Sequence, residues 1–437
     1  MNASAWRWLR KAIISVATLG IAAAYCSMTY AASPVTIKVM RPGYPKEARA
    51  FFGEVERALA KEYPDIKLEI IDSDWNAFHN RVPIWVAAKQ EPDVYLSAPT
   101  ELASFADLGA LMMLDKFVDP ALKADIPESA WEALKYKGRI VAIPGDAAPQ
   151  VMWYNKEIFK KAGLDPNRPP TTWDELLQFS LQIKQNTGVA PIGLGVGRAL
   201  DFSQTVWAML FYSATNQQYA DDMGRPQLTS ENSVKAHQFL VDLVRKHKVT
   251  QPNPEQFRKG DLRPLFRDEK VAMIVDGPWL MTTLSSKSDF SSPSSCKFGI
   301  APAPRSPFRG KIPMYALTGD GWVISANSKH PGEAQKVLKF LLRPEWQYAH
   351  DKYLEQMPFR RSLFAEPSKY PMTNNWLYRA MFEMMDNTIV HQPIIPTANA
   401  EFDAMKDGVV KMVTGAASVE DALKEASDAI RAIRGTK

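Results

Sequence analysis

The sequence predicts an α/β protein, because predicted strands and helices alternate along most of the chain. Short apolar segments are separated by longer stretches whose apolar residues recur at helical spacing. Such alternation is typical of βαβ units, in which helices cover both faces of a parallel sheet. The chain has 437 residues, of which 46% are hydrophobic and 23% are charged. This composition is that of a globular protein, not of a disordered chain or a multi-span membrane protein, and the length allows two or three domains.

The first predicted elements follow one another without long loops. An alternating segment is followed by an amphipathic stretch that Pro64 ends, and two more strands and one more helix come next. The predicted strands are Val35–Met40, Lys67–Ile71 and Asp93–Leu96, and the predicted helices are Pro45–Tyr63 and Asn76–Lys89.

The rest of the chain continues the pattern, with helix ends marked by capping residues. Thr172 and Glu175 predict a capping box that starts a helix reaching about Gln185. Pro331 predicts a first-turn position, and Ser418 predicts the start of the last helix, which reaches Ile433. Further strands are predicted at Ile140–Ile143, Val151–Tyr154, Pro191–Leu194, Val271–Val275 and Gly321–Ile324.

The N-terminus has the pattern of a secretory signal peptide. Three basic residues within the first eleven precede an uncharged apolar run, Ala12–Ala24, which is too short for a membrane span. Cleavage after Ala31 fits the small residues before it, so residues 1–31 are predicted to be removed. A lipid anchor on Cys26 is disfavoured because bulky Tyr25 precedes it. Cys296 would then be the one remaining cysteine, which excludes a disulfide within the mature chain.

Charge and motifs exclude several classes of function. Without the leader the chain carries 50 basic and 48 acidic residues, which gives no electrostatic signature for nucleic acid. Residues 193–198 miss the dinucleotide-binding fingerprint, and no phosphate-binding loop, nucleophile elbow or zinc motif is present. We therefore expect no cofactor, no metal site and no enzymatic activity. A pair of carboxylates could still serve a secreted glycan hydrolase or lyase, because their separation cannot be read from sequence.

Aromatic residues follow several of the predicted strands. Tyr44 lies after the first strand, Trp75 after the second, and Trp279 directly after Val271–Val275. Ligands of parallel α/β sheets bind beyond the carboxyl ends of the strands. An indole ring matches the apolar face of a pyranose, and nearby polar groups can bind its hydroxyls. The pattern favours a carbohydrate ligand.

Seven sequence blocks follow one another along nearly the whole mature chain. The blocks are Trp153–Leu164 with Pro170–Leu176, Ala272–Trp279, Phe298–Pro304, Gly319–Ser325, Lys329–Glu345, Pro358–Ser362 and Ser418–Leu423. In this order they resemble the extracellular solute-binding proteins of family 1, the sugar-binding components of ABC importers.

The resemblance implies the fold of a periplasmic binding protein, with two α/β lobes joined by a three-segment hinge and a ligand cleft between them. It implies an N-terminal lobe of residues 32–145 plus 317–345 and a C-terminal lobe of residues 146–316 plus 346–437. The predicted crossings lie near Pro144–Asp146, Tyr315–Thr318 and Arg343–Trp346.

The resemblance also implies ligand-binding positions. Trp279 resembles the stacking tryptophan of the family's Gly-Pro-Trp motif, whereas Trp207 and Phe402 fall near positions that supply aromatic rings. The segment Ser97–Glu101 lacks the tryptophan of maltose-type members, which argues against maltose itself as the ligand. The predicted ligand-binding residues are Tyr44, Trp75, Glu101, Asp146, Trp207, Trp279, Gly319, Asp320, Arg360 and Phe402.

The resemblance thus implies a periplasmic, monomeric binding protein that delivers a sugar, oligosaccharide or polyol to the permease subunits of an ABC importer. Two other kinds of protein stay open. One is the secreted glycan-active enzyme. The other is a binding protein for a non-sugar, such as a polyamine, which would need several cleft carboxylates, or a glycerophosphodiester, which would need an inward arginine such as Arg41 or Arg360.

Overall fold

The computed structural model describes residues 34–132, 134–146, 148–197, 206–215, 226–308, 315–385, 389–390 and 395–435, so the predicted signal peptide lies outside the described residues. The strands are β1 Val35–Met40, β2 Ile66–Ile70, β3 Val94–Ser97, β4 Lys135–Tyr136, β5 Arg139–Ile140, β6 Ile143–Pro144, β7 Ala148–Asn155, β8 Ala190–Ile192, β9 Val271–Asp276, β10 Phe298–Ala301, β11 Tyr315–Thr318, β12 Gly321–Ile324 and β13 Ile389–Val390.

The helices lie between these strands and after them. They are α1 Pro45–Glu62, α2 Trp75–Ala88, α3 Pro99–Asp107, α4 Pro120–Asp125, α5 Glu128–Glu132, α6 Lys156–Lys161, α7 Trp173–Thr187, α8 Val206–Ala214, α9 Glu231–Val241, α10 Leu262–Arg267, α11 Leu280–Leu284, α12 Pro331–Leu341, α13 Pro344–Tyr353, α14 Arg361–Ala365, α15 Trp376–Met385, α16 Ala398–Thr414 and α17 Val419–Arg434. Short 3-10 turns lie at Gln227–Thr229, Pro254–Gln256, Lys259–Asp261 and Pro371–Asn374, and a π-helical turn at Asp242–Lys246 extends α9.

Two separate sheets form the centres of two lobes, which confirms the predicted α/β class. The first sheet has the order β2-β1-β3-β12-β6, and the second has the order β13-β11-β7-β9-β8 with β10 also paired to β7. The strands β4 and β5 form a two-stranded ribbon that is separate from both sheets. We call the layers built on these two sheets the first lobe and the second lobe.

The sheets are mixed, so the expectation of parallel pairing holds for only part of each. The strands β1, β2 and β3 are parallel, as the alternation of strands and helices predicted. The strand β12 runs antiparallel to both β3 and β6, and β7 runs antiparallel to β9, β10 and β11. The difference arises because these strands enter directly from the other lobe or from a loop, without the crossover helix that parallel pairing needs.

Two links join the sheets where crossings were predicted. The chain leaves the first sheet at Pro144 and enters the second at Ala148, and it returns between Thr318 and Gly321. The backbone N–H of Gly145 donates to the carbonyl of Asp320 at 2.9 Å, so the two links lie side by side.

The third predicted crossing, Arg343–Trp346, instead joins two helices of the first lobe. The helix α13 packs on α1, where the ring of His350 contacts Phe51 with its centroid 5.5 Å away and Tyr353 donates to Glu54 at 2.5 Å. The chain regains the second sheet only through α15, which packs on β7, and β13, which pairs with β11. The third link therefore falls between α13 and α15, because the buried face of α13, which carries Gln347, His350 and Asp351, lies against the first lobe.

Helix ends follow the capping residues that the sequence showed. The Thr172 hydroxyl accepts from the backbone N–H of Glu175 at 3.2 Å, and the Ser418 hydroxyl accepts from that of Asp421 at 3.1 Å. The reciprocal half of the predicted capping box differs, because Glu175 accepts from the backbone of Thr171, one residue earlier, at 2.8 Å. Within the described ranges, no helix combines the length and the hydropathy needed to cross a membrane.

Candidate functional site

The strand ends of both lobes meet beside the two crossings. In the first sheet, Ser97 at the end of β3 pairs with Gly321, the first residue after the second crossing. In the second sheet, Asp276 at the end of β9 pairs with Val151, close to the start of β7. Loops that follow β1, β2, β3 and β9 therefore converge on one region, which we call the cleft.

A left-handed turn places Tyr44 at the cleft. Gly43 and Tyr44 have φ angles of 78° and 49°, which are unusual for residues other than glycine. A Cβ atom on Gly43 would lie 2.9 Å from the indole nitrogen of Trp75, so a side chain there would displace the indole. The turn thus packs directly against Trp75, the first residue of α2, and leaves Tyr44 38% exposed.

A second cluster of the first lobe links Trp75 to Glu101 through His79. The imidazole of His79 stacks on Trp75 with centroids 5.7 Å apart and planes inclined by 26°. Its Nδ1 lies 2.5 Å from Oε1 of Glu101, whose Oε2 accepts from the Thr100 hydroxyl at 2.9 Å. Glu101 is almost completely buried, so these two bonds satisfy a carboxylate that would otherwise be costly to bury.

Two aspartates occupy the crossings. Asp146 accepts from the backbone N–H of Asp320 at 2.9 Å and pairs with buried Arg41 at 3.3 Å. Burial raises the pKa of Asp146, although the Arg41 charge opposes the shift. Burial and the neighbouring Asp146 carboxylate raise the pKa of Asp320 well above its ordinary value. Asp320 is half-buried as a residue, and its neighbour Gly319 is buried.

Side chains of α13 hold the surroundings of these two aspartates in place from the first lobe. His350 accepts from the guanidinium of Arg41 at 3.4 Å, and burial lowers the pKa of His350 well below its ordinary value. Gln347 donates both to the carbonyl of Gly145 at 2.8 Å and to Asp351 at 3.0 Å. The first crossing is thus anchored to the first lobe by polar side chains that are all buried.

Asp276 organises the second-lobe wall of the cleft. This fully buried carboxylate accepts from the indole N–H of Trp279 at 2.6 Å and from the backbone of Gly277 at 2.8 Å. It also pairs with Arg263 at 2.7 Å and Lys259 at 3.4 Å, and both cations lie over the Trp279 ring. Burial opposes ionisation, but these two cations hold the pKa of Asp276 below its ordinary value.

The two walls face each other across the cleft. Burial raises the pKa of Tyr44, and the charges of Arg263 and Asp276 are close enough to influence it. Tyr44 belongs to the first lobe and the other two residues to the second, so they lie on opposite walls. Seven of the predicted ligand-binding residues gather here: Tyr44, Trp75, Glu101, Asp146, Trp279, Gly319 and Asp320.

The other three predicted ligand-binding residues lie elsewhere. Trp207 is 1% exposed in the core of the second lobe, where its indole N–H donates to His237 at 2.8 Å and its ring stacks on Phe211. Phe402 is 2% exposed in the same core. Arg360 pairs with Asp125 of the first lobe at 2.5 Å. Their part in ligand binding stays a prediction, and in this arrangement each packs within the protein.

Several residues of the cleft were missed by sequence reasoning. His79 is one helical turn beyond Trp75, and this spacing could have indicated that it shares the same face of α2. Asp276 stands in the recognised Gly-Pro-Trp block, but its role as the partner of Trp279 depends on the fold. Lys259 and Arg263 come from a 3-10 turn and a short helix that no sequence pattern marked. Among the described residues, no group of His, Cys, Asp and Glu side chains could hold a metal ion.

Residues 43–348, well over half of the chain, match the family model of the bacterial extracellular solute-binding proteins. The chain belongs to this family. The matched range includes both walls of the cleft and the two crossings, so the resemblance seen in the sequence blocks is confirmed. The members are binding proteins, and a cleft at the hinge of a two-lobe fold is suited to enclosing a small molecule.

Individual relatives of this solute-binding protein support the family assignment. A protein of Brucella abortus (strain 2308) named as a binding protein is 23% identical over 388 residues, which cover 88% of this chain and 90% of the relative. The sn-glycerol-3-phosphate-binding periplasmic protein of Shigella flexneri is 30% identical over 218 residues, 48% of this chain and 46% of its own. The solved structure of maltose-bound MalE3 of T. maritima superposes with a TM-score of 0.75 at 24% identity, covering 91% of this chain and 99% of that one.

Proposed function

We propose that this protein binds a sugar, an oligosaccharide or a related polyol in the cleft and delivers it to the permease subunits of an ABC importer. It does so as a monomer in the periplasm, after cleavage of residues 1–31. Binding is non-covalent, and the cleft residues hold the ligand without catalysing a reaction on it.

The observation that carries this proposal is the placement of Trp279. Its half-buried ring stands at the end of β9 beside the crossings, with the indole N–H fixed by Asp276 at 2.6 Å. Tyr44 and Trp75 stand on the facing wall, and the carboxylates of Asp146 and Asp320 stand at the two crossings. Aromatic faces with hydrogen-bonding groups at their edges suit a pyranose, whose C–H faces are apolar and whose rim carries hydroxyls. The maltose-bound relative supports the same ligand class.

The arginines that a phosphate site would need are engaged elsewhere. Arg41 pairs with Asp146, and Arg360 pairs with Asp125. A buried arginine that already has a carboxylate partner contributes little net charge toward a phosphate. The pairing of Arg41 and Arg360 therefore favours a neutral ligand over a glycerophosphodiester, although one partial relative binds sn-glycerol 3-phosphate. The other two cations of the cleft, Arg263 and Lys259, share the carboxylate of Asp276.

The direct test is a binding screen of the purified mature protein by thermal shift and calorimetry. The panel contains maltose, tagatose, mannitol, sn-glycerol 3-phosphate and spermidine. We expect a sugar or polyol to raise the unfolding temperature, because a ligand that binds only the folded state stabilises it. Stabilisation by spermidine or sn-glycerol 3-phosphate alone would contradict the proposal. Turnover of a glycan would assign the protein to the enzyme class.

Trp279→Ala tests the ligand contact itself. Loss of a desolvated aromatic anchor costs about 2 kcal/mol, which is roughly thirtyfold in dissociation constant. Trp346→Ala is the matched control, because Trp346 packs against Phe340 on the outer helices of the first lobe. If Trp279 were only a core residue, its removal would lower the unfolding temperature and leave the affinity of the remaining folded protein unchanged.

A further inference from the structure

The geometry around Trp75 assigns a specificity role to His79: we propose that Glu101 fixes its imidazole with the proton on Nδ1, so that Nε2 accepts a hydrogen bond from a ligand hydroxyl at the edge of Trp75. The inference rests on the proposed function, which places a hydroxyl-bearing ligand in the cleft. His79 would thus join the predicted ligand-binding residues and select a ligand group that donates a hydrogen bond.

The first step is the position of His79. It lies four residues after Trp75 on α2, and its ring covers one face of the indole at a centroid separation of 5.7 Å. Phe78 meets the same indole edge-on at 5.5 Å. A ligand ring that stacks on Trp75 must therefore use the remaining face, with the imidazole immediately behind it. The His79 side chain keeps 17% of its surface exposed, so part of the imidazole is open to solvent.

The second step is the tautomer. Nδ1 lies 2.5 Å from a carboxylate oxygen of Glu101, and a carboxylate only accepts hydrogen bonds. The imidazole must therefore carry a proton on Nδ1. In a neutral ring this leaves Nε2 as a hydrogen-bond acceptor. At other functional sites, too, a carboxylate bonded to one ring nitrogen of a histidine sets the role of the other nitrogen. Among the side chains that the structure describes, none forms a hydrogen bond with Nε2.

The third step is the rigidity of the arrangement. Glu101 is 3% exposed, and its second oxygen accepts from the hydroxyl of Thr100 at 2.9 Å. Both oxygens of the carboxylate are thus engaged by neighbours on α2 and α3. A hydroxyl hydrogen can approach Nε2, but a carbonyl or ether oxygen cannot bond to it, so the site selects donors. Sugars and polyols supply donors at every carbon that bears a hydroxyl.

The tautomer is tested first, without any ligand. Nitrogen-15 NMR of histidine-labelled protein at about pH 8, above the ordinary histidine pKa, distinguishes the two tautomers. The His79 signals are assigned by their loss in His79→Phe. We expect protonated Nδ1 and unprotonated Nε2, and we expect this preference to weaken in Glu101→Gln. A proton on Nε2 in the wild-type protein would overturn the inference.

Binding is tested next with maltose, mannitol and tagatose as probes. For the probe that binds, we expect the Nε2 signal of His79 to shift and the dissociation constant to rise about tenfold in His79→Phe, which keeps a ring on Trp75. The double variant His79→Phe/Glu101→Gln removes the unpaired buried carboxylate and should bind as weakly while recovering stability. His330→Phe, at the residue that follows β12 and directly precedes α12, is the control.

Two outcomes separate this inference from the proposed function. Failure of the wild-type protein to bind any of the three probes counts against the proposed function, and the ligand-free tautomer still decides the state of His79. Tight binding with an unmoved Nε2 signal and unchanged affinity in His79→Phe leaves the proposed function intact and overturns the role of His79.

Discussion

Asp276 is the single residue on which the second-lobe wall of the cleft depends most. One buried carboxylate holds the indole of Trp279 and also partners Arg263 and Lys259. Removing the charge would leave two cations beside an amide in a dry environment, and breaking a buried pair in this way is strongly destabilising.

We predict that Asp276→Asn lowers the free energy of unfolding by about 3 kcal/mol. The same change should weaken sugar binding, because the charged acceptor that orients Trp279 is replaced by a neutral amide oxygen, which accepts a weaker hydrogen bond. Urea denaturation and calorimetric titration measure the two effects. Asp268→Asn, in an exposed pair with Arg267, is the control and should cost less than about 1 kcal/mol. If both variants lost the same free energy of unfolding, buried Asp276 would contribute no more to stability than an exposed ion pair does.

Asp320 makes stability depend on pH in an unusual direction. Its pKa is raised in the folded protein, so the folded state holds its proton more tightly than the unfolded chain does. Below the ordinary carboxyl pKa of about 4, such a group does not lower the free energy of unfolding. Its destabilising effect grows as the pH rises from there to the pKa of the folded state.

We therefore predict that Asp320→Asn is more stabilising, or less destabilising, at pH about 7.5 than at pH about 5. The comparison uses the difference in unfolding free energy between variant and wild type at each pH, so that other groups cancel. Asp146 is the exception, because its charge raises the pKa of Asp320, so the difference reports the titration of these two carboxyls together. A difference that stays constant with pH would show that the Asp320 carboxyl titrates normally.

At the level of whole elements, helix caps could be predicted and crossings only in part. A polar capping residue acts within one helical turn, so the caps Thr172 and Ser418 could be predicted from the sequence. The strands β1 and β12 also have the predicted bounds. The third link was misplaced because Pro344 marks the start of a helix without revealing which lobe the helix packs on. Likewise, the partners of Trp279 and Trp75 come from distant stretches of chain, which no local pattern connects.

The cap of α7 allows the contribution of a single capping bond to stability to be measured. Thr172→Ala removes the acceptor for the backbone N–H of Glu175 and should cost about 1 kcal/mol of unfolding free energy. Thr172→Ser keeps a hydroxyl at the same place and should retain most of the stability. Because α7 lies away from the cleft, sugar affinity should be unchanged in both. An equally stable alanine variant would mean that the bond at this cap contributes nothing.

For the whole molecule, the two lobes touch across the cleft as well as at the crossings. The helix α16 of the second lobe packs on α3 of the first. A ligand held by both walls favours the state in which they are close, and it shifts the population only through contacts with both.

Ligand should therefore close the lobes. Small-angle scattering of the mature protein is expected to give a smaller radius of gyration with saturating sugar than without it. Trp279→Ala, measured at the same sugar concentration, should remain closer to the ligand-free value. An unchanged radius in the wild-type protein at saturation would indicate a rigid cleft.

The leader is predicted to be removed during export. The basic and apolar pattern of the leader, followed by small residues, predicts cleavage after Ala31. The intact mass of protein recovered from the periplasm should correspond to a chain that starts at Ala32. A chain retaining Met1, or a lipid on Cys26, would contradict the predicted processing.

The position of β12 between β3 and β6 sets the order in which the molecule can be assembled during synthesis. The first sheet has no direct link between β3 and β6 until residues 321–324 have been made, and β13 completes the second sheet later still. Pairings this distant in the chain form slowly. A nascent chain shorter than about three quarters of the full length lacks a central strand, so we expect it to remain protease-sensitive and unfolded. We expect such a chain to remain able to pass through a secretion pore at least until residues 321–324 have been made.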